Sequence, residues 1–301
     1  MPNLRLVDDP SSDIYSKINR YASCNNEILI WGETGVGKSH CAKLIHKRSS
    51  RSVAPFIEIN CSSIPPGLVE SELFGHEKGA FTGAVRKHAG YIKRANSGTL
   101  FLDEVNDLPL EVQGHLLHFL ESKSIHSVGS DSDDTIDCRI IAATNQCLET
   151  LIQQKLFRAD LYYRLNVLPL AIPPLREREK DILPLAMDFL SELGGQHMQF
   201  SEASKEQLTK HQWPGNIREL KNVVCRATIL ATNDIIEPEH LMLANAASLG
   251  ACSNHTESAQ SIERCIRANR YNLAATARAL NISRPTLYRL IKKHNIVLDP
   301  S

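Results

Sequence analysis

No stretch of this chain approaches the eighteen or so consecutive apolar residues that a membrane span requires. The N-terminus, where Asp8 and Asp9 follow a short mixed stretch, lacks the basic-then-apolar order of a secretory signal. Net charge is absent too: 34 lysines and arginines balance 34 aspartates and glutamates, so no global field draws the protein to nucleic acid or lipid. The eight cysteines form no Cys-x-x-Cys pair, and none stands beside a histidine at zinc-ligand spacing, so neither a metal cluster nor a disulfide framework is indicated. These absences predict a cytoplasmic protein with reduced thiols and no membrane contact. With 42% hydrophobic and 23% charged residues, the 301-residue chain has the composition of one ordinary globular domain plus one or two small ones.

The charge balance conceals an asymmetry. Between residues 259 and 298 stand Arg264, Arg267, Arg270, Arg278, Arg284, Arg289, Lys292 and Lys293, against the single acid Glu263. A basic C-terminal module on a mildly acidic body follows from that distribution. Upstream, short apolar runs at Glu27–Trp31, Phe56–Asn60, Thr99–Asp103 and Arg139–Thr144 alternate with amphipathic stretches, the rhythm of a parallel sheet with helices on both faces. Pro173 and Pro174 break that rhythm. The expected organisation is an α/β subdomain over 1–172, a small subdomain of purely helical periodicity over 173–244, a linker rich in Ala, Ser, Asn and Gly over 245–258, and an all-α module over 259–301.

Chemistry first shows at Gly32-Glu33-Thr34-Gly35-Val36-Gly37-Lys38-Ser39, which follows the apolar run Ile28–Trp31 and opens a helical stretch near His40. This is the context that gives a G-x-x-x-x-G-K-S pattern its meaning. Its glycines let backbone amides converge on phosphate oxygens at a helix N-terminus. Lys38 would reach the β and γ phosphates, and the Ser39 hydroxyl would hold Mg2+. Further on, Asp103 and Glu104 end a hydrophobic run; Asp103 would complete the magnesium shell and Glu104 would polarise the attacking water. A third element is Gly79-Ala80-Phe81-Thr82-Gly83-Ala84. Its two glycines can take positive φ and fold the segment so that Phe81 and Thr82 stand at an exposed tip, which asks for a protein partner.

Taken together with Glu72–Ala84, Ala143-Thr144-Asn145, Phe157–Leu165, Pro173–Glu179 and Trp213–Asn222, these residues resemble the central AAA+ P-loop ATPase domain of bacterial enhancer-binding proteins. Those ATPases activate RNA polymerase carrying sigma-54, and the similarity runs over nearly the whole chain. The resemblance implies an ATP- and Mg2+-dependent motor with a helical lid subdomain. Within it Asn60 would be a switch coupled to Glu104, Thr144 and Asn145 a sensor near the γ phosphate, Arg218 a second sensor in the lid, and Gly79–Ala84 the loop that engages sigma-54. Arg158 and Arg164 would be arginine fingers acting on a neighbouring subunit's nucleotide, which implies a ring of one chain or two similar ones, expected to be a hexamer. A planar guanidinium suits the charge spread over a transferring phosphoryl group.

Residues 260–295 fit a helix-turn-helix of the Fis type. Ser283 serves as N-cap of the third helix with Pro285 in its first turn, and Arg284, Thr286, Tyr288, Arg289, Lys292 and Lys293 face outward toward enhancer DNA. Asn281 stands at the turn where relatives commonly have glycine, and asparagine tolerates that left-handed geometry. Only 31 residues precede the phosphate loop, so the expectation is regulation in trans, by a partner protein or by the amount of protein made. The rival readings are a regulator that works through DNA binding independently of sigma-54, an AAA+ motor acting on DNA itself, and a nucleoid-binding module with a vestigial ATPase. Relatives of the first sort have a degraded loop motif where this one is complete, the second has no need of the Phe81 and Thr82 tip, and hydrolysis that is lost on Lys38→Ala would exclude the third.

Overall fold

Alternation along the strands decides the architecture. Ile28, Ile30, Phe101, Ile141 and Ala143 point to one face of a sheet, where they pack with Ile18, Cys41, Ala42 and Ile45. Their neighbours Leu29, Leu100, Leu102, Ile140 and Ala142 point to the other, against Leu116, Phe119, Leu161 and Leu165. A sheet apolar on both faces must be covered on both. The computed structural model describes residues 13–80, 86–126, 129, 133–231 and 233–243, with Ile266, Leu273 and Thr276.

In chain order the first part comprises α1 (Asp13–Ala22), β1 (Ile28–Trp31), α2 (Lys38–Lys47), β2 (Phe56–Asn60), α3 (Val69–Phe74), α4 (Tyr91–Arg94), β3 (Thr99–Asp103) and α5 (Leu110–Ser122). It continues with β4 (Ser124–His126), β5 (Asp133–Thr135), β6 (Arg139–Thr144), α6 (Leu148–Gln153), α7 (Ala159–Leu165) and β7 (Leu168–Ala171). The main sheet has the order β2-β3-β6-β1-β7 and is parallel throughout. Consequently the C-terminal ends of β1, β3 and β6 lie side by side, as the ligand crevice of an open α/β sheet requires. The four strands expected from the sequence are present, the first shortened to Ile28. A fifth, β7, was not expected, because Pro169 argues against a strand. It is tolerated there because β7 is the sheet edge, where a missing amide donor costs no ladder bond.

Beyond Pro174 come α8 (Glu179–Glu192), β8 (Gln199–Phe200), α9 (Glu202–Lys210), α10 (Asn216–Leu230), β9 (Ile235–Ile236) and α11 (Pro238–Leu241). The expectation of helices alone is corrected here: β8 and β9 form a two-residue parallel pair, too short to leave a period-2 signal. Leu185, Phe189, Leu208, Trp213, Leu220 and Val224 are fully or almost fully buried in this part, and the Trp213 indole donates to the Leu208 carbonyl at 2.9 Å. Met242–Ser301 form a second unit, of which Ile266, Leu273 and Thr276 are helical. The tip residues Phe81, Thr82, Gly83 and Ala84 and the DNA-facing residues Arg284, Thr286, Tyr288, Arg289, Lys292 and Lys293 lie outside the described residues.

Among the described residues no helix is long and apolar enough to cross a membrane. Cys41, Cys61 and Cys138 are buried, and burial pushes each thiol up to about 12, so these three are core fillers without thiolate reactivity.

Phe101 is wholly buried on central β3 and stacks on the half-buried Phe56 ring at 6.3 Å. Phe101→Ala is expected to cost about 3–5 kcal/mol and Phe56→Ala clearly less. Urea unfolding of both variants checks this, and equal losses would contradict the placement of the two rings.

Candidate functional site

The loop Gly32–Ser39 joins β1 to α2 through two left-handed glycines, Gly35 at φ 81° and Gly37 at φ 103°. Gly37 is the N-cap of α2, so the loop's backbone amides gather at a helix N-terminus, where partial positive charge favours an anion. A Cβ at Gly32 would meet the Ile172 carbonyl at 2.7 Å, and one at Gly35 the Gly215 carbonyl at 2.5 Å. Both glycines are therefore required by space, and Gly35 also by conformation. Val36 is fully buried. Lys38, only 6% exposed, donates to the Gly32 carbonyl at 3.0 Å and lies 3.6 Å from Glu104 Oε1. Ser39 sits in the first turn of α2.

Asp103 ends β3, and Glu104 follows it in a left-handed conformation at φ 54°, which is uncommon for a side chain of this size and places the carboxylate toward the loop. Its Oε2 accepts the Asn145 amide at 3.3 Å. Asn145 also donates through Nδ2 to Thr34 Oγ1 at 3.0 Å, so the end of β6 is tied at once to the loop and to Glu104. Thr144, one residue earlier, is bonded at Oγ1 to Asn106 Oδ1, 2.8 Å away; sequence reasoning gave Asn106 no part. Asn60 is in register with Asp103, but its Oδ1 accepts from the amide and hydroxyl of Ser62 at 3.0 and 2.6 Å. In this state it caps the turn after β2, with no hydrogen bond to Glu104.

The two arginines expected to act in trans stand apart from this cluster. Arg158, the N-cap of α7, makes a two-point contact with Asp160 at 3.0 and 2.8 Å. Arg164 is exposed and donates to the Leu120 carbonyl at 3.0 Å. Arg218 in α10 is exposed, with its Cβ 3.2 Å from where a Cβ on Gly35 would lie. Glu33, expected among the nucleotide-binding residues, turns its carboxylate away to Arg176 and Asn216, which leaves only its backbone for a phosphate. Beside the loop, a cavity of about 760 Å³ is lined by Trp31, Gly32, Glu33, Asn145, Tyr162 and Arg176, among others. Gly79 has φ 86°, with open space where a Cβ would stand. The segment that leads to the tip is held at its base by paired backbone bonds between His76 and His88 at 3.0 and 2.9 Å, and by the Lys87–Glu77 ion pair.

A loop of converging amides, a buried lysine and two consecutive carboxylates at the end of β3 are gathered in one place, and the chain's family follows from one further finding. The Sigma-54 interaction domain matches residues 6–171, more than half of the chain. The chain belongs to that family. An AAA+ ATPase lid domain matches 176–258, and a Fis-family bacterial regulatory domain matches 258–294. The fold is thus a parallel-sheet α/β AAA+ body with a helical lid, followed by a C-terminal helix-turn-helix domain.

Relatives in this sigma-54 family include the alginate biosynthesis transcriptional regulatory protein AlgB of Pseudomonas aeruginosa, 42% identical over 91% of this chain and 64% of its own length. The anaerobic nitric oxide reductase transcription regulator NorR of Klebsiella pneumoniae is 39% identical over 97% of the chain and 61% of its own length. The chain thus spans a little under two thirds of these relatives. Among solved structures, NtrX from Brucella abortus, crystallised in complex with ADP and with ATP, superposes with TM-scores of 0.71 and 0.70 at 30% and 31% identity. Each match covers 94% of this chain and about two thirds of NtrX.

Burial pushes both the Asp103 and the Glu104 carboxyls above the ordinary range, against the opposing pull of Lys38. A raised carboxyl contributes stability that is full below its unfolded value and is lost as pH rises through the folded one. In the ligand-free protein these two groups therefore weaken the fold toward neutral pH. The Tm gain of Asp103→Asn over wild type should grow between about pH 4 and pH 8; a constant difference across that range would contradict the burial argument.

Proposed function

We propose that this protein is a sigma-54-dependent transcriptional activator of the cytoplasm, which binds enhancer DNA and uses ATP hydrolysis in an oligomeric ring to remodel the closed complex of sigma-54 RNA polymerase into an open one. The observation that carries this reading is the coexistence, within one sigma-54 interaction domain, of the phosphate and cation site with the complete Gly79–Ala84 segment on a braced stem.

The residues fit ATP and Mg2+. Lys38, which here satisfies itself on the Gly32 carbonyl, is free to exchange that weak partner for phosphate oxygens. Asp103 and Glu104, held above their ordinary range, gain what they lack from a nearby cation. Ser39 and Asp103 would hold Mg2+, which when bound neutralises charge on the transferring phosphoryl group. Glu104, kept in line by Asn145, would orient and polarise the attacking water. Thr144, Asn145 and Arg218 would read the phosphates from β6 and from the lid, and Asn60, now capping its own turn, would exchange Ser62 for Glu104 when the site fills.

Arg158 and Arg164, exposed and away from this chain's own loop, are suited to complete a neighbour's site, so hydrolysis would require a ring, which we take to be a hexamer. Nucleotide state would bias the stem between two positions of the loop bearing Phe81 and Thr82, and the loop would act on sigma-54. The basic third helix, with Arg284, Thr286, Tyr288, Arg289, Lys292 and Lys293, would hold the ring to enhancer DNA through phosphates and groove edges.

Thr82→Ala is expected to keep most of the ATP hydrolysis and to lose open-complex formation, with both read in one reaction; equal loss of both in a folded, assembled variant would refute the division of labour. Arg289→Ala should weaken binding to an enhancer fragment at fixed salt while hydrolysis is unchanged, and undiminished binding would count against the DNA-reading helix.

A further inference from the structure

Four consecutive residues of the phosphate loop are each bonded to the chain beyond Pro174. The Glu33 carboxylate accepts two N–H groups from Arg176, at 2.9 and 2.6 Å, and the Asn216 side-chain amide at 3.0 Å. The Thr34 carbonyl accepts the same Asn216 amide at 3.1 Å. The Gly35 carbonyl accepts the Ile217 backbone amide at 3.0 Å, and the Val36 carbonyl accepts Arg178 Nη2 at 3.0 Å. Asn216 is the hub. It is fully buried, stands at φ 52°, and its Oδ1 accepts the Leu175 amide at 2.8 Å, so both ends of its side chain are engaged. Trp213, three residues earlier, also has positive φ, at 49°. The turn that starts α10 is thus bent into an unusual path, and the phosphate loop and Leu175 hold it there.

We infer that Glu33, Arg176 and Asn216 form a latch whose task is to fix Arg218 over the phosphate loop, which makes them positioning residues for nucleotide hydrolysis; the inference rests on the ATPase reading above. Arg218 lies two residues past Asn216 and one past Ile217, so it inherits its place from these bonds. Its Cβ lies 3.2 Å from where a Cβ on Gly35 would stand, against the phosphate loop itself. The Glu33–Arg176 pair is substantially exposed, at 43% and 36%, and an exposed pair adds little to stability. Its fork geometry fixes orientation instead.

The test is a cycle of Glu33→Gln, Arg176→Gln and the double variant, assayed as the full-length assembled protein for kcat and KM of Mg·ATP hydrolysis, affinity for a fluorescent ADP, and Tm. Each single neutralisation should lower kcat about tenfold, the scale expected when a charged group is displaced by a fraction of an ångström, with ADP affinity within about threefold and Tm nearly unchanged. The double variant should be no worse than either single one, because both remove the same contact. Additive losses, parallel losses of ADP affinity and kcat, or an unchanged kcat would each overturn the latch. Wild-type protein that assembles but hydrolyses no ATP would remove the ATPase reading, and the latch with it; hydrolysis by wild type that the neutralisations leave intact would remove the latch alone.

Discussion

The bond from the Ile217 amide to the Gly35 carbonyl marks the constraint on which the rest depends: one short loop is gripped between the end of the edge strand β7 and the turn that starts α10. Below, Gly32 meets the Ile172 carbonyl with no room for a side chain; above, Gly35 meets Gly215 in the same way. Because the loop cannot move independently of either neighbour, a ligand that reshapes it must displace the sheet ends, the lid, or both. The same tightness places Lys38 beside Glu104 and Asn145 beside Thr34, which turns separate segments of sequence into one site.

Electrostatics gives this site its direction. Two half-buried carboxyls stand at the end of β3, where burial pushes both up against the opposing pull of Lys38, an arrangement that weakens the ligand-free fold toward neutral pH. Such a local cost is a common mark of function, since a protein selected for stability alone has no reason to keep it. The exposed Arg158 and Arg164 lie outside the cluster, so under the proposed function the charge that a transferring phosphoryl group needs would be completed only by a neighbouring chain. Assembly would then be part of the chemistry and not an addition to it.

Much of this was legible in the sequence. The four expected strands announced themselves as apolar runs, the phosphate loop, Asp103 and Glu104 could be named because their chemistry demands particular residue types at a strand end, and Thr144 and Asn145 came from the family resemblance. β7 was hidden by Pro169, which an edge strand accepts, and β8 and β9 by their two-residue length. The Glu33–Asn216–Arg176 network was invisible for a different reason. Its members are 183 and 143 positions from Glu33 along the chain, and no local pattern records which distant amide a carboxylate will find. Positive φ at Asn216 follows from that tertiary grip, since only the Trp-Pro-Gly-Asn turn itself was readable.

Footprinting a sigma-54 promoter with purified protein, sigma-54 RNA polymerase and either ATP or a non-hydrolysable analogue, while phosphate release is followed in parallel, decides whether this motor opens the closed complex. Promoter melting that requires hydrolysable ATP and is absent with the analogue is the predicted result. Melting without hydrolysis, or brisk hydrolysis by an enhancer-bound ring that leaves the promoter closed, would contradict the claim that this motor works on the sigma-54 closed complex.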